Sequence, residues 1–405
     1  MDREGIRPGE VRSLKDLRRF GLLDRRTVRA RWREMVWRGP RRRVQVVRTS
    51  GSTNQALEFC TDSAREAHVN AARIRARRWA GLNVGDKELY FWAAPVELAA
   101  QDRLKAVRDC LINNRLTSAL EITEQAVPKY LASWRRWRPK ALFGYPSSFV
   151  LVVSLAGRIG LDLTVLARGG LKSICTTAEM LHEADRRLIG QGFGAAVYDS
   201  YGLREAGLIG HECEHFTMHT NDEQLILETV DPVSLEPTEG EGELVLTNLV
   251  SHVMPIIRYR TGDVVRLSEG GCPCGRSLRA VGVSGGRLLE FVVTGEGKWV
   301  SGICFFHVCR AIRGVVQLQV RQDRIGELRV LVTCDGTFPC DGVEQLRAAL
   351  RARLGGQDEI LIEVVDEIPT APSGKQRMVI GNVARGLLES NACDAKGKSF
   401  IGSRC

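Results

Sequence analysis

Residues 141–205 read ALFGYPSSFVLVVSLAGRIGLDLTVLARGGLKSICTTAEMLHEADRRLIGQGFGAAVYDSYGLRE. Three short apolar runs, ALFGYP, LKSICTTAE and AAVYDSYGLRE, alternate with two longer stretches, SSFVLVVSLAGRIG and LHEADRRLIGQGFG. By length and apolar spacing the short runs suit buried strands and the longer ones helices. Strand–helix–strand alternation predicts βαβ units, and therefore a largely parallel sheet. The pattern extends upstream. SAREAHVNAARIRARRWAGL predicts a helix ending near Gly81, DKELYFWAAP a buried strand, and AVPKYLASWRRWRPK another helix.

After Gly210 the texture changes. QLILETVDP, GELVLTNL and DVVRLSEGG are short strand-like runs broken by Gly and Pro, which predicts a β subdomain over residues 210–285. From Leu288 a further α/β piece begins, with VVQLQVRQ, ELRVLVTC, the helical VEQLRAALRARLG and the strand EILIEVVDEIP. The expected fold class is α/β. A large N-terminal domain (1–287), with mainly parallel sheets and the β subdomain, precedes a small α+β C-terminal domain (288–386). The small, polar tail (387–405) is expected to be disordered.

The chain has 405 residues, 44% hydrophobic and 26% charged, an ordinary globular composition. No apolar run approaches the ~20 residues that span a bilayer. MDREGIRPGE lacks the apolar core of a signal peptide. The expectation is a cytoplasmic protein without a membrane partner.

Net charge is +10, and Met1 to Arg48 alone holds sixteen Lys/Arg against six Asp/Glu. Such an arm can bind nucleic acid. However, LKDLRRF and VRARWREMVWR carry apolar residues at helical spacing, which favours a solvated helical face. No nucleic-acid-binding signature follows, so a nucleic-acid partner is not expected. The twelve cysteines are scattered and suit reduced thiols; only Cys272-Pro273-Cys274 has ligand-like spacing.

Several short motifs carry chemistry. TSGST (Thr49–Thr53) offers backbone N–H groups and hydroxyls to phosphate oxygens, though a plain polar turn has the same composition. YGLRE (201–205) places an aromatic and a carboxylate at a strand end. RYRTGD (258–263) sets Asp263 after a glycine; taken alone it reads as a hairpin turn. PSGKQR (372–377) presents Lys375 on a glycine loop.

In this order and at these separations, TSGST, TTAE, YGLRE, RYRTGD, Gly286-Arg287 and PSGK resemble the adenylate-forming enzyme superfamily. The look is that of phenylacetate–coenzyme A ligases and their relatives in capsule biosynthesis and natural-product pathways. RPKALFGYPSS and MPIIRYRTGD are typical of that branch. The resemblance runs from about Leu14 to Gly381. It implies a mobile C-terminal domain and a two-step reaction. A carboxylate attacks the α-phosphate of ATP to give acyl-AMP and pyrophosphate, and a second nucleophile then displaces AMP. The first step crowds anions together, so it needs Mg²⁺ and a lysine.

On this resemblance, Thr49, Ser50, Gly51, Ser52 and Thr53 hold the β/γ-phosphates. Ala178 and Glu179 line the adenine pocket. Asp199, Ser200 and Tyr201 frame the adenine, with Tyr201 stacking on it. Glu205 is the Mg²⁺-associated catalytic carboxylate. Asp263 binds the ribose hydroxyls and Arg287 supports them. Lys375 bridges substrate carboxylate and α-phosphate, and the hinge lies within Leu288 to Glu290. Three departures stand out: Asn54, Gln55 and Ala56 after the phosphate loop, Arg204 where Thr or Ser is usual, and Leu289 at the acidic hinge position.

HECEHFTMHT (211–220) and GCPCGR (271–276) also resemble this branch. Cys213, Cys272 and Cys274 with His219, or His215 as its rival, would form a structural Zn²⁺ cage. Phe143, Tyr145, Pro146 and Ser147 match the acyl pocket and suit an aryl or arylacetic acid; packing of the core is the competing role. Coenzyme A is the default acceptor, an amine the alternative, and homodimerisation is left open. A catalytically silent nucleotide-binding relative is the contrasting reading.

Overall fold

The computed structural model describes residues 7–37, 39, 44–48, 57–92, 109, 111–119, 121–231, 234–283, 291–297, 299–301, 305, 308, 312–355, 357–368 and 379–383. They fall into two compact units. The first draws on Met1–Gly51, Ala56–Ala80 and Asp199–Gly286; the second on Ser52–Gln55, Gly81–Tyr198 and Arg287–Cys405.

The first unit opens with the basic segment. Leu14–Arg19 forms a 3-10 turn where an α-helical face was expected, because Leu17 and Phe20 drop at once into a small apolar cluster with Val11, Ile226 and Ile257. Helix α1 (Arg25–Met35) follows, with the Asp24 side chain accepting from the Thr27 N–H. Strand β1 (Val44–Arg48) pairs antiparallel with β2 (Glu58–Asp62). Asp62 then caps helix α2 (Ser63–Trp79) by accepting from the Arg65 N–H at 2.8 Å.

The second unit contains the alternation legible in the sequence. Its elements are β3 (Glu88–Trp92), β4 (Asn114–Ser118), β5 (Glu121–Ile122), α3 (Ala126–Trp137), β6 (Ala141–Gly144), α4 (Pro146–Arg158), α5 (Val165–Arg168), β7 (Ser173–Thr177) and α6 (Glu183–Phe193). β4, β3, β6 and β7 pair in that order, all parallel. One sheet face sets Phe91 against Trp134 and Phe149 in a core with Leu142, Val152 and Ile189. A Cβ at Gly144 would lie 2.5 Å from the Phe91 carbonyl oxygen, so β6 approaches β3 as only glycine allows.

Within β8 (Ala196–Leu203) the chain returns to the first unit, where the ladder is antiparallel. The strands are β9 (Gly207–Glu212), β10 (Met218–Thr220), β11 (Leu225–Val230), β12 (Pro237–Thr238), β13 (Glu241–Asn248), β14 (Tyr259–Ser268) and β15 (Ala280–Val283). Their spatial order is β12-β11-β13-β14-β15-β10-β9-β8. Alternating side chains such as Leu225, Leu227, Leu244, Leu246 and Val265 fill its core together with Trp32 and Phe59.

The C-terminal segment of the second unit adds β16 (Phe291–Val293) and β17 (Trp299–Ser301), the latter pairing with β5. A small separate sheet follows: β18 (Val315–Arg324), β19 (Glu327–Cys334), β20 (Glu359–Val364) and β21 (Val379–Gly381), in the order β20-β19-β18-β21. Helix α7 (Gly342–Leu354) packs Leu346, Leu350 and Leu354 into a cluster with Val320, Val330 and Val332. Among the described residues no helix is long and apolar enough to cross a membrane.

Candidate functional site

In the first unit, the YGLRE and RYRTGD stretches bring several of the expected site residues together. RYRTGD is not a hairpin turn. It enters β14 directly, and the register slips opposite Glu243 and Val245. Gly262 there has φ +73°, a conformation glycine adopts without strain. Glu243 holds this irregular stretch from the neighbouring strand. Its carboxylate accepts from Arg260 Nη2 at 2.6 Å and from the Gly262 N–H at 3.1 Å. Asp263 is thereby fixed at 6% exposure. The Tyr201 hydroxyl donates to Asp263 Oδ2 at 2.8 Å. Burial, reinforced by the Asp263 charge, pushes the Tyr201 phenol well above its usual pKa, so it stays a donor. Asp199 donates its N–H to Glu212 Oε2 at 2.7 Å, and Ser200 is buried beside it.

Glu205 is 3% exposed. Its Oε1 accepts from the Tyr259 hydroxyl at 2.9 Å and lies 3.5 Å from Arg25 Nη1. Burial and the Glu205 charge raise the Tyr259 phenol far above its usual range, so it too remains a donor. Oε2 of Glu205 has no partner among the described residues. One such carboxylate oxygen fits Mg²⁺, which takes one or two protein ligands and draws the rest from phosphates and water. The Arg65 guanidinium fixes the turn itself. Nη2 donates to the carbonyls of Arg204 and Glu205 at 3.0 and 2.9 Å. Arg204 is exposed, and its carbonyl accepts from Arg65.

In the second unit, Ala178 has φ +70°, a left-handed conformation costly for alanine, and sits just beyond β7. Glu179 Oε2 accepts the Ser147 N–H at 3.0 Å. Helix α4 begins there: Tyr145 is its N-cap without a side-chain cap bond, and Pro146 fills the first position. The Glu179 carboxylate therefore caps α4 from a distant strand end, where free N–H groups and the helix dipole favour an anion. This links TTAE to the FGYPSS stretch. Phe143 and Tyr145 pack on Trp92, which stacks on Tyr145 with centroids 4.4 Å apart and on Phe143 at 5.8 Å. All three stand at the carboxyl ends of parallel strands, where open α/β sheets bind ligands. Pro146 is buried and Ser147 half-buried.

The cysteines and histidine converge as well. The ligand atoms of Cys213, His219, Cys272 and Cys274 all lie within 4.8 Å of one another. Cys213 and Cys272 sulfurs are 3.6 Å apart, and His219 Nε2 is 3.1 Å from Cys274 Sγ. Tetrahedral zinc with Zn–S of about 2.3 Å would set sulfurs about 3.8 Å apart. His219 Nδ1 faces the Leu278 carbonyl at 3.2 Å, which leaves Nε2 for a metal. His215 is exposed and contributes only its backbone N–H, to Cys213 Sγ at 3.4 Å. Of the two histidines, His219 is the one grouped with the three sulfurs. Burial pushes the Cys213 thiol up to about 11. Burial also opposes ionisation of Cys272, but hydrogen bonds from Thr217 and Cys274 outweigh it and bring that thiol down to about 7. Arg276 lies over the Trp79 ring at 4.7 Å and bonds Glu214 at 2.8 Å, bracing the cluster from outside.

Thr49, Ser50, Gly51, Ser52, Thr53, Arg287 and Lys375, with the hinge at Leu288 to Glu290, lie outside the described residues. Sequence reasoning missed Arg25, Arg65, Tyr259 and Trp92. Tyr259 lies inside RYRTGD and was within reach of it. Nothing local distinguishes Arg25 or Arg65 from the many arginines around them.

A family model for the CapK C-terminal domain matches residues 292–382. A phenylacetate–coenzyme A ligase of Thermus thermophilus is 36% identical over 29% of this chain and 27% of its own length. The CapK protein of Staphylococcus aureus is 24% identical over 83% of this chain and 74% of its own. A phenylacetate–coenzyme A ligase of Escherichia coli is 26% identical over 91% and 86%. Among solved structures, 2-hydroxyisobutyryl-CoA ligase in the thioesterification state superposes with a TM-score of 0.62. Its identity is 16%, and the match covers 96% of this chain and 86% of that one. At that identity the likeness concerns the fold.

Proposed function

The chain is a relative of the phenylacetate–coenzyme A ligases and of CapK within the adenylate-forming superfamily, and from that premise we propose that it activates a carboxylic acid with ATP. The products of the first step are acyl-AMP and pyrophosphate, and coenzyme A takes the acyl group in the second. The observation that carries this reading lies in the first unit. Tyr201 and Asp263, proposed for adenine and ribose, are hydrogen-bonded at 2.8 Å, with the buried Glu205 four residues along from Tyr201. Nucleotide recognition and a metal carboxylate thus share one rigid corner of antiparallel sheet.

In this reading Asp263 accepts from the ribose hydroxyls while the Tyr201 hydroxyl holds its orientation. Glu205 would hold Mg²⁺ through Oε2; the bound metal neutralises triphosphate charge and polarises the α-phosphoryl group. Thr49 to Thr53 wrap the β/γ-phosphates, Ala178 and Glu179 line the adenine pocket, and Arg287 supports the ribose. Lys375 is brought in by C-terminal domain movement to neutralise the acid and α-phosphate during adenylation, then withdrawn for transfer. We assign Phe143, Tyr145 and Trp92 to an aromatic wall for an aryl or arylacetic acid. The Cys213–His219–Cys272–Cys274 cluster is assigned to a structural Zn²⁺, whose four protein ligands leave no open position for chemistry. The seven described cysteines form no disulfide with one another, which suits a reducing, cytoplasmic setting.

The test separates the half-reactions. Lys375→Ala should lower acid-dependent pyrophosphate release by at least ~100-fold, the scale of a lost transition-state charge contact. Transfer from synthetic acyl-AMP to coenzyme A should persist. Equal loss of both steps, or pyrophosphate release from no aryl acid in the unmutated protein, would overturn the proposal.

A further inference from the structure

The arginine-rich N-terminal segment has no part in the function just proposed, yet one of its side chains reaches Glu205. Leu23 is clamped to RYRTGD on both sides. Its N–H donates to the Arg258 carbonyl at 2.9 Å, and its carbonyl accepts from the Arg260 N–H at 2.8 Å. The bridge is parallel and sets Leu23 opposite Tyr259. Arg258 grips the same segment, donating from Nη1 to the carbonyls of Phe20 at 2.8 Å and Arg18 at 3.3 Å. The Asp24 cap then turns the chain into α1, whose first residue is Arg25.

Both donors to Glu205 Oε1 come from this clamp. Tyr259 gives its hydroxyl at 2.9 Å, and Arg25 Nη1 stands at 3.5 Å. Arg29, Arg31 and Arg33, on the same helix, are exposed, whereas Arg25 is half-buried against the carboxylate. A solvated helical face accounts for the first three but not for Arg25. Oε1 is engaged from two directions and Oε2 is not engaged by any described residue. A carboxylate held this way cannot swing, and it presents one chosen oxygen.

We propose that Arg25 is a positioning residue for a divalent-cation carboxylate: with Tyr259 it fixes Glu205 through Oε1 and leaves Oε2 to the cation that arrives with a nucleoside triphosphate. This rests on the reading of Glu205 as the metal carboxylate. The basic segment is then part of the site, docked by its backbone, rather than a free arm. Groups that orient a metal ligand from behind are typically worth 10–100-fold in metal affinity.

The experiment measures binding, not turnover. Mn²⁺ is titrated by electron paramagnetic resonance into the full-length protein holding α,β-methylene-ATP. Arg25→Ala should weaken Mn²⁺ by roughly 10–100-fold, and Arg25→Lys should recover part of the loss. Metal-free binding of AMP should stay unchanged in both, which a merely structural role would not predict. Tyr259→Phe removes the second Oε1 donor without changing charge and should also weaken Mn²⁺; it carries the test if Arg25→Ala does not fold. Unchanged or tighter Mn²⁺ binding in Arg25→Ala overturns the proposal, as does parallel loss of AMP binding. Glu205→Gln separates the two readings. Should it weaken Mn²⁺ while Arg25→Ala does not, only the role of Arg25 falls; should it leave Mn²⁺ binding unchanged, the metal assignment of Glu205 falls too.

Discussion

Replacing Arg65 by Met should destabilise the protein by about 3 kcal/mol, and the figure follows from the contacts. Nη2 donates to two backbone carbonyls, those of Arg204 and Glu205, at 3.0 and 2.9 Å. Hydrogen bonds from a charged donor are worth about 1.5–3 kcal/mol each, and both acceptors would lose that donor. The Glu66 contact adds little, because Glu66 is 44% exposed. Two terms work the other way. Burial pulls the Arg65 pKa below its usual value, which reports a desolvation penalty that Met would not carry. Nε is also buried without a partner. The net places Arg65→Met at the severe end for a single substitution. With a urea m-value of about 3 kcal/mol/M, the midpoint should fall by about 1 M. Urea denaturation followed by circular dichroism reads it. Arg65→Lys should fall between, since one ammonium cannot present a guanidinium fork to both carbonyls. A midpoint shift below about 0.3 M for Arg65→Met would refute the claim that this side chain holds the YGLRE turn.

Asp263→Asn should weaken AMP binding by about 10-fold or more, because a charged acceptor is lost and Tyr201 loses its ionic partner; calorimetry checks it, and an unchanged dissociation constant would exclude the ribose role. Cys272→Ser should release bound zinc and lower the melting temperature by several degrees; elemental analysis finding no zinc in the unmutated protein would end the assignment. Glu179→Gln should cost about 1–2 kcal/mol by replacing the anionic cap of α4 with a neutral one, read as a lower melting temperature. An unchanged melting temperature would break the proposed link between TTAE and FGYPSS.

Much of the architecture was legible in the chain. The short apolar runs DKELYFWAAP, ALFGYP and LKSICTTAE and the helical stretches up to Phe193 became parallel strands and helices close to their expected limits. Strand length, helix length and apolar spacing are local properties, so a sequence carries them directly. The C-terminal strands and helix were legible for the same reason, as was the antiparallel texture after Gly210. Taken alone RYRTGD reads as a turn because glycine and a polar run signal one locally, while its pairing with β13 is held by Glu243, distant in sequence. The basic N-terminal segment was misjudged in part, because a helical face is a statement about one element and its docking is not.

The motifs and the family resemblance singled out Tyr201, Glu205, Asp263 and the cysteines Cys213, Cys272 and Cys274. Tertiary structure decided what each one touches. It chose His219 over His215, because β10 places the former among the sulfurs and the turn leaves the latter exposed. It brought Arg25 and Arg65 to the YGLRE turn across 180 and 140 residues of chain. It also made Glu179 a helix cap. Local pattern fixes which segments bury which faces, since each residue's polarity and each element's period act where they stand. Which charges meet depends on chain crossings and backbone clamps, and those exist only once the sheets have formed.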